Sequence, residues 1–185
     1  MDEPSPRKRR LFVGVSLDRG AVLACSGVCE ALRKTGFAAR YEDAERLHVT
    51  LAFLGFVDPA RCEKIAAVLV ACAQSKPFVL ALDKLGAFPH ERRPRVVYLG
   101  AREQGARFRE LAAKVRNAYA GLGFEFDNDP VAHVTIARVK QSQRPLPLIE
   151  FVPIPIEVTA LALFESLPDP ARGTSRYEVI ASAAL

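Results

Sequence analysis

The chain has 185 residues, half of them apolar, and a formal net charge of +5, enough to bury the core of one large domain or two fused small lobes. No run reaches the ~18 apolar residues of a membrane-spanning helix, and the basic stretch Arg7-Lys8-Arg9-Arg10 leads into a strand pattern rather than the apolar segment of a secretion signal, so the expected location is the cytoplasm. The four cysteines include no C-x-x-C pair and read as reduced, buried thiols rather than a disulfide frame or a metal site.

In chain order, residues 1–9 form a basic tail, which suits an anionic partner or simple solubility alike. Residues 10–16 read as a strand in which Leu11, Val13 and Val15 alternate with Phe12 and Gly14. Asp18 is a fitting N-cap for a helix running to about residue 34 and ending before Gly36. A short strand is expected at 37–41, then a strand from His48 to Gly55. Asp58-Pro59 opens a helix that continues to about residue 74, with Ile65, Leu69 and Cys72 on one side. Residues 78–85 and 95–99 read as a strand pair joined by a loop carrying His90, Arg92 and Arg93, either a solvated hairpin loop or a contact to an anionic partner. A long helix is expected at 103–122, a strand at 124–126 and another from His133. A polar loop at 141–147 and strands at 156–165 and 176–182, linked by the breaker-rich turn 169–173, complete the pattern.

One stretch occurs twice. His48-Val49-Thr50-Leu51-Ala52 returns in the second half as His133-Val134-Thr135-Ile136-Ala137, and the chain has only three histidines. Both copies have strand composition. Alternation along a strand puts His48 and Thr50 on one face, with Val49, Leu51 and Phe53 on the other. It places Ala52 and Ala137 beside the histidines. Two such strands, packed about a pseudo-twofold axis, bring both His-Thr pairs to one cleft. Imidazoles titrate near pH 6.5, so such a pair can serve as acid and base. A single copy would read equally well as a core strand with a hydrogen-bonded His.

Paired H-x-T motifs with these flanks, Arg10-Leu11-Phe12-Val13, Phe53-Leu54-Gly55, Leu85-Gly86-Ala87-Phe88-Pro89, Pro94 to Gly100 and Leu163-Phe164-Glu165-Ser166, resemble the 2H phosphoesterases. The nearest likeness is to the bacterial RNA 2′,3′-cyclic phosphodiesterases, also called 2′-5′ RNA ligases. The resemblance implies an α+β fold of two pseudo-symmetric lobes, each a mostly antiparallel sheet with outer helices, in one bilobal domain over residues 10–185. It also implies a metal-independent hydrolysis of RNA or nucleoside 2′,3′-cyclic phosphates to 2′-phosphates, with no cofactor; the expected state is a monomer. His48 would protonate the leaving 3′ oxygen and His133 would activate water. Thr50 and Thr135 would hold the phosphoryl oxygens. Reversal of the reaction would join ends with a 2′-5′ bond, and a non-catalytic nucleotide- or RNA-binding module is the alternative use of such a cleft.

Two further substrate-binding residues are expected. Relatives often carry an arginine where Arg138 stands, although strict alternation puts it on the face opposite His133, so a bend must redirect it. Phe12 has the parity to line the cleft and stack on a base. Tyr41 and Tyr98 stand where relatives often have Trp, which leaves base preference open.

Overall fold

The computed structural model describes residues 7–141 and 144–185. The first six residues of the tail, and residues 142–143 of the polar loop, lie outside the described residues. The elements run β1 (Arg9–Ser16), α1 (Arg19–Lys34), β2 (Arg40–Tyr41), β3 (His48–Val57), α2 (Cys62–Cys72), β4 (Phe78–Leu82), β5 (Lys84–Phe88), β6 (Val96–Gly100), α3 (Ala106–Ala120), β7 (His133–Arg138), β8 (Ile154–Val158), β9 (Ala160–Asp169) and β10 (Thr174–Ala184). Asp18 caps α1 by accepting a hydrogen bond from the Ala21 amide at 2.9 Å. Asp58 likewise caps a 3-10 turn, Pro59–Arg61, that leads into α2. Among the described residues no helix is long and apolar enough to cross a membrane.

Seven strands form one path, β10-β9-β1-β3-β7-β6-β5, with β2 alongside β7 as the eighth. Every pairing is antiparallel, and β4 with β8 forms a separate two-stranded sheet. The two halves of the large sheet meet at the motif strands, where a single pairing, Val49 with Val134, joins β3 to β7. The halves also exchange segments: β9 and β10, late in the chain, extend the half that contains β1 and β3, while β2 extends the half that contains β7. Helices cross in the same way, α1 packing on β7 and α3 on β3. The apolar faces of both motif strands, Val49, Leu51, Val134 and Ile136, are at most 1% exposed beneath those helices. Burial of such side chains contributes about 1.5–3 kcal/mol each.

Several expected boundaries move. Residues 78–85 are not one strand but the end-to-end pair β4 and β5, which part at Asp83 and join different sheets. Residues 156–165 likewise divide at Thr159 between β8 and β9. Phe124 to Phe126 form no strand; they lie on the core edge, where Arg61 covers the Phe124 ring and Arg116 the Phe126 ring. All four cysteines are free thiols. Burial pushes the Cys25 thiol up to about 12 and that of Cys29 to about 11, which keeps both protonated and unreactive.

Candidate active site

Because β3 and β7 run antiparallel with Val49 opposite Val134, the register sets His48 opposite Thr135 and Thr50 opposite His133. All four side chains share the face away from the helices, and all four line one cleft of about 450 Å³. The repeat thus becomes a local pseudo-twofold axis through the centre of the sheet.

Both motif strands carry the same irregularity. Val13 pairs with Ala52 and Gly14 with Thr50, which leaves Leu51 as an extra residue in β3. Val97 pairs with Ala137 and Tyr98 with Thr135, which leaves Ile136 as the extra residue in β7. A bulge of this kind shifts the alternation that follows it. Ala52 and Ala137 therefore turn into the core, each 0% exposed, instead of standing beside the histidines. The next residues turn into the cleft: Phe53, expected in the core, is 61% exposed, and Arg138 lines the cleft without any further bend. The carbonyls at the bulges find partners elsewhere, that of Leu51 accepting from Arg116 Nε at 3.1 Å and that of Ile136 from the Glu42 amide at 2.8 Å. Gly14 is required opposite the first motif, since a Cβ there would lie 2.4 Å from the Val49 carbonyl oxygen.

The histidines are held alike. His48 Nδ1 donates to the carbonyl of Arg46 at 2.7 Å, and His133 Nδ1 donates to the carbonyl of Val131 at 2.7 Å. Each acceptor lies two residues upstream, so both rings are fixed in one tautomer with Nε2 left for the cleft. Burial lowers the pKa of both, that of His48 to about 4. The upstream carbonyls oppose this shift, and the Arg138 charge adds to it at both rings. In the free protein at neutral pH both imidazoles are therefore uncharged.

Their surroundings differ. The Phe12 ring lies 4.8 Å from that of His48, and the Tyr177 ring meets His48 edge-on at 5.1 Å. Phe12 is itself stacked on Phe164 at 4.8 Å and only 2% exposed. Phe12 borders the cleft as expected, but with Phe164 stacked on one face and the His48, Phe53 and Tyr177 rings around it, it forms the wall behind His48 and leaves little ring surface open to a base. His133 instead meets Tyr98 and Phe88 edge-on, both at 5.4 Å. Tyr98 fits over two glycines, for a Cβ at Gly86 would come within 2.6 Å of its ring. Tyr41 does not line the cleft; its hydroxyl donates to the Phe37 carbonyl and Arg33 covers its ring. His90 is exposed and accepts from the Arg93 amide, away from the cleft.

The cleft is cationic. Arg10, Arg40, Arg46 and Arg138 line it with one carboxylate, Glu42. That carboxylate is 3% exposed and lies between two arginines, 2.8 Å from Arg138 Nε and 2.5 Å from Arg46 Nη1. It orients both while leaving the site net positive. The composition of residues 40–46 carried no sign of this arrangement. Phe53, by contrast, was open to inference, because it occupies the same place after His48 that Arg138 occupies after His133.

Residues 24–170 match the 2′-5′ RNA ligase superfamily. The RNA 2′,3′-cyclic phosphodiesterase of Thermotoga maritima is 31% identical over 166 residues, covering 87% of this chain and 88% of that protein. The enzyme of the same name from Archaeoglobus fulgidus is 35% identical over 132 residues, 71% of this chain and 73% of its own. Among solved structures, Escherichia coli LigT complexed with 3′-AMP aligns with a TM-score of 0.80 at 27% identity, covering 96% of this chain and 98% of LigT.

Proposed function

The chain belongs to the 2′-5′ RNA ligase superfamily, and from that premise we propose that it hydrolyses RNA or nucleoside 2′,3′-cyclic phosphates to 2′-phosphates. The observation that carries this reading is the pair of imidazoles on one sheet face, each with Nδ1 tied to a carbonyl and Nε2 open to a cationic cleft. In-line displacement at phosphorus needs a base on one side and an acid on the other, and the two motif strands supply one group each. His133 Nε2 takes a proton from water as the water oxygen bonds to phosphorus. The bond from phosphorus to the 3′ oxygen breaks, and that oxygen takes the proton carried by His48 Nε2. The family pattern underlies this division of roles.

Thr50 and Thr135 donate to the non-bridging oxygens, where negative charge grows. Arg138, held by Glu42, adds a fixed positive charge beside them. His48 is neutral in the free site, so its proton arrives with the substrate: an anionic phosphodiester between the rings favours the imidazolium. The reverse reaction, a 2′-5′ joining of a cyclic phosphate end to a 5′ hydroxyl, uses the same groups, with hydrolysis favoured by the excess of water. The basic segment 1–9 then precedes a single bilobal domain, residues 10–185, acting as a cytoplasmic monomer without metal or cofactor.

The test is hydrolysis of a nucleoside 2′,3′-cyclic phosphate in EDTA, with the product's phosphate position assigned by NMR. A 2′-phosphate is expected. A 3′-phosphate product overturns the roles assigned to the two histidines. Loss of turnover in EDTA overturns the metal-free chemistry. Tight nucleotide binding without turnover, with or without added metal, makes the protein a binding module.

A further inference from the structure

The cleft face of β3 does not end at the histidine. A second irregularity, with Phe12 paired to Phe53 and Leu11 to Gly55, leaves Leu54 as another extra residue. It shifts the alternation again, so the register puts Phe53 and then Phe56 on the sheet face that carries Thr50; Phe53 lines the cleft and Phe56 stands beyond its rim. Phe56 is 70% exposed, and it pairs with Arg10, whose side chain lines the cleft. Phe12 and Arg10, the partners of the two phenylalanines, are two residues apart on β1, so the backbone positions of Phe53 and Phe56 stand about 7 Å apart along the sheet at a rise of ~3.4 Å per residue.

Neither ring is buried; that of Phe53 lies 5.8 Å from the Phe12 ring at the cleft wall. Phe53 and Phe56 are among the most exposed large apolar side chains of the chain, and both lie on the one face that also carries the catalytic pair. Arg10 donates to Ser166 Oγ at 3.4 Å and has no carboxylate partner among the described residues. Lys8 is exposed just before it in the chain. Exposed aromatic rings flanked by unneutralised cations are what an unpaired nucleic acid strand requires: bases stack on the rings and phosphates lie against the charges.

Building on the phosphodiesterase reading above, we propose that β1 and β3 form a second nucleotide subsite, with Phe56 stacking the penultimate base and Arg10 taking the phosphate that joins it to the terminal nucleotide. Phe53, nearer the histidines, faces the terminal base.

The experiment compares kcat/KM for a dinucleotide ending in a 2′,3′-cyclic phosphate with that for the mononucleoside 2′,3′-cyclic phosphate, using the full chain. The dinucleotide should be favoured about ten-fold or more. Phe56→Ala should bring the ratio close to one, and Phe56→Trp should restore it. The same comparison is made by Kd with the corresponding 2′-phosphate products. If neither substrate turns over, the phosphodiesterase reading fails, and the Kd ratio alone decides the subsite. A ratio near one in the native chain overturns the proposal. So does a ratio unchanged by Phe56→Ala, which is the outcome if Phe56 serves a protein contact instead.

Discussion

The two motif halves differ less in their chemistry than in what stands around it. Each presents a histidine locked by a carbonyl two residues upstream, then a threonine, then a bulge. Behind His48 stands a closed aromatic wall of Phe12, Phe164 and Tyr177, and the residue that emerges after the bulge is an exposed Phe53. Behind His133 stand Tyr98 and Phe88, and the residue that emerges is Arg138, gripped by Glu42. A symmetric pair of imidazoles cannot tell one side of a phosphate from the other. The asymmetry of apolar wall against anchored cation gives the cleft two unlike sides, one aromatic and one charged.

Removing either histidine tests the shared part, and carries the largest expected effect. His48→Ala and His133→Ala should each lower kcat by about 10³-fold or more, while inorganic phosphate still binds by calorimetry. Substantial activity in either variant breaks the two-histidine mechanism. Thr50→Val and Thr135→Val come next, each expected to cost about 10²-fold in kcat. Equal losses indicate a symmetric grip on the phosphoryl oxygens; a loss confined to one locates the growing charge in that half. Arg138→Ala addresses the asymmetric part. KM should rise about ten-fold through the lost charge-assisted bond, with a smaller change in kcat. Glu42→Gln leaves Arg138 in place without its anchor, and should raise KM by a lesser factor. Unchanged KM in both variants would remove the anchored cation from substrate binding.

Much of this cleft was legible before any coordinates. The repeat, the His-Thr face and the aliphatic face follow from composition and a period of two. The capping residues Asp18 and Asp58 mark the starts of α1 and of the turn into α2 because a side-chain acceptor three or two residues from an amide is a local matter. The bulges at Leu51 and Ile136 were not legible, because an extra residue is defined only against the partner strand. Their absence from the reading displaced Ala52, Ala137 and Phe53, and left Arg138 in need of an unexplained bend. Comparison of the two copies offered a way past this: if Arg138 must reach the cleft, Phe53 must do so too. Nothing comparable announced Glu42, whose role depends on β2 lying against β7 in the half of the sheet to which most of its neighbours in sequence do not belong. The changes of sheet at Asp83 and Thr159 were hidden for a similar reason. One residue suffices to redirect the chain, and the apolar alternation runs on through it.

The smallest expected effect concerns protons, and it sets His48 against its ordinary behaviour. Its pKa in the folded chain is about 4, against 6.5 for the unperturbed side chain. As pH falls below 6.5 the unfolded chain takes up a proton that the folded chain resists, so stability declines between about pH 6.5 and 4. His133, also lowered by burial, adds to the decline in the same direction. The midpoint of thermal unfolding should therefore fall over this window, and His48→Gln should flatten part of that fall. Bound phosphate acts with the opposite sign, because an anion between the rings stabilises the imidazolium. NMR titration of the His48 ring should show a value well below 6.5 in the free protein and a higher one with phosphate bound. The same displacement should carry the alkaline limb of kcat to higher pH than that of kcat/KM, since kcat reports the occupied site and kcat/KM the free one. A His48 ring that titrates at its ordinary value in both states would mean that the aromatic wall of Phe12, Phe164 and Tyr177 does not exclude water. The difference between the two halves would then lie in Arg138 and Phe53 alone.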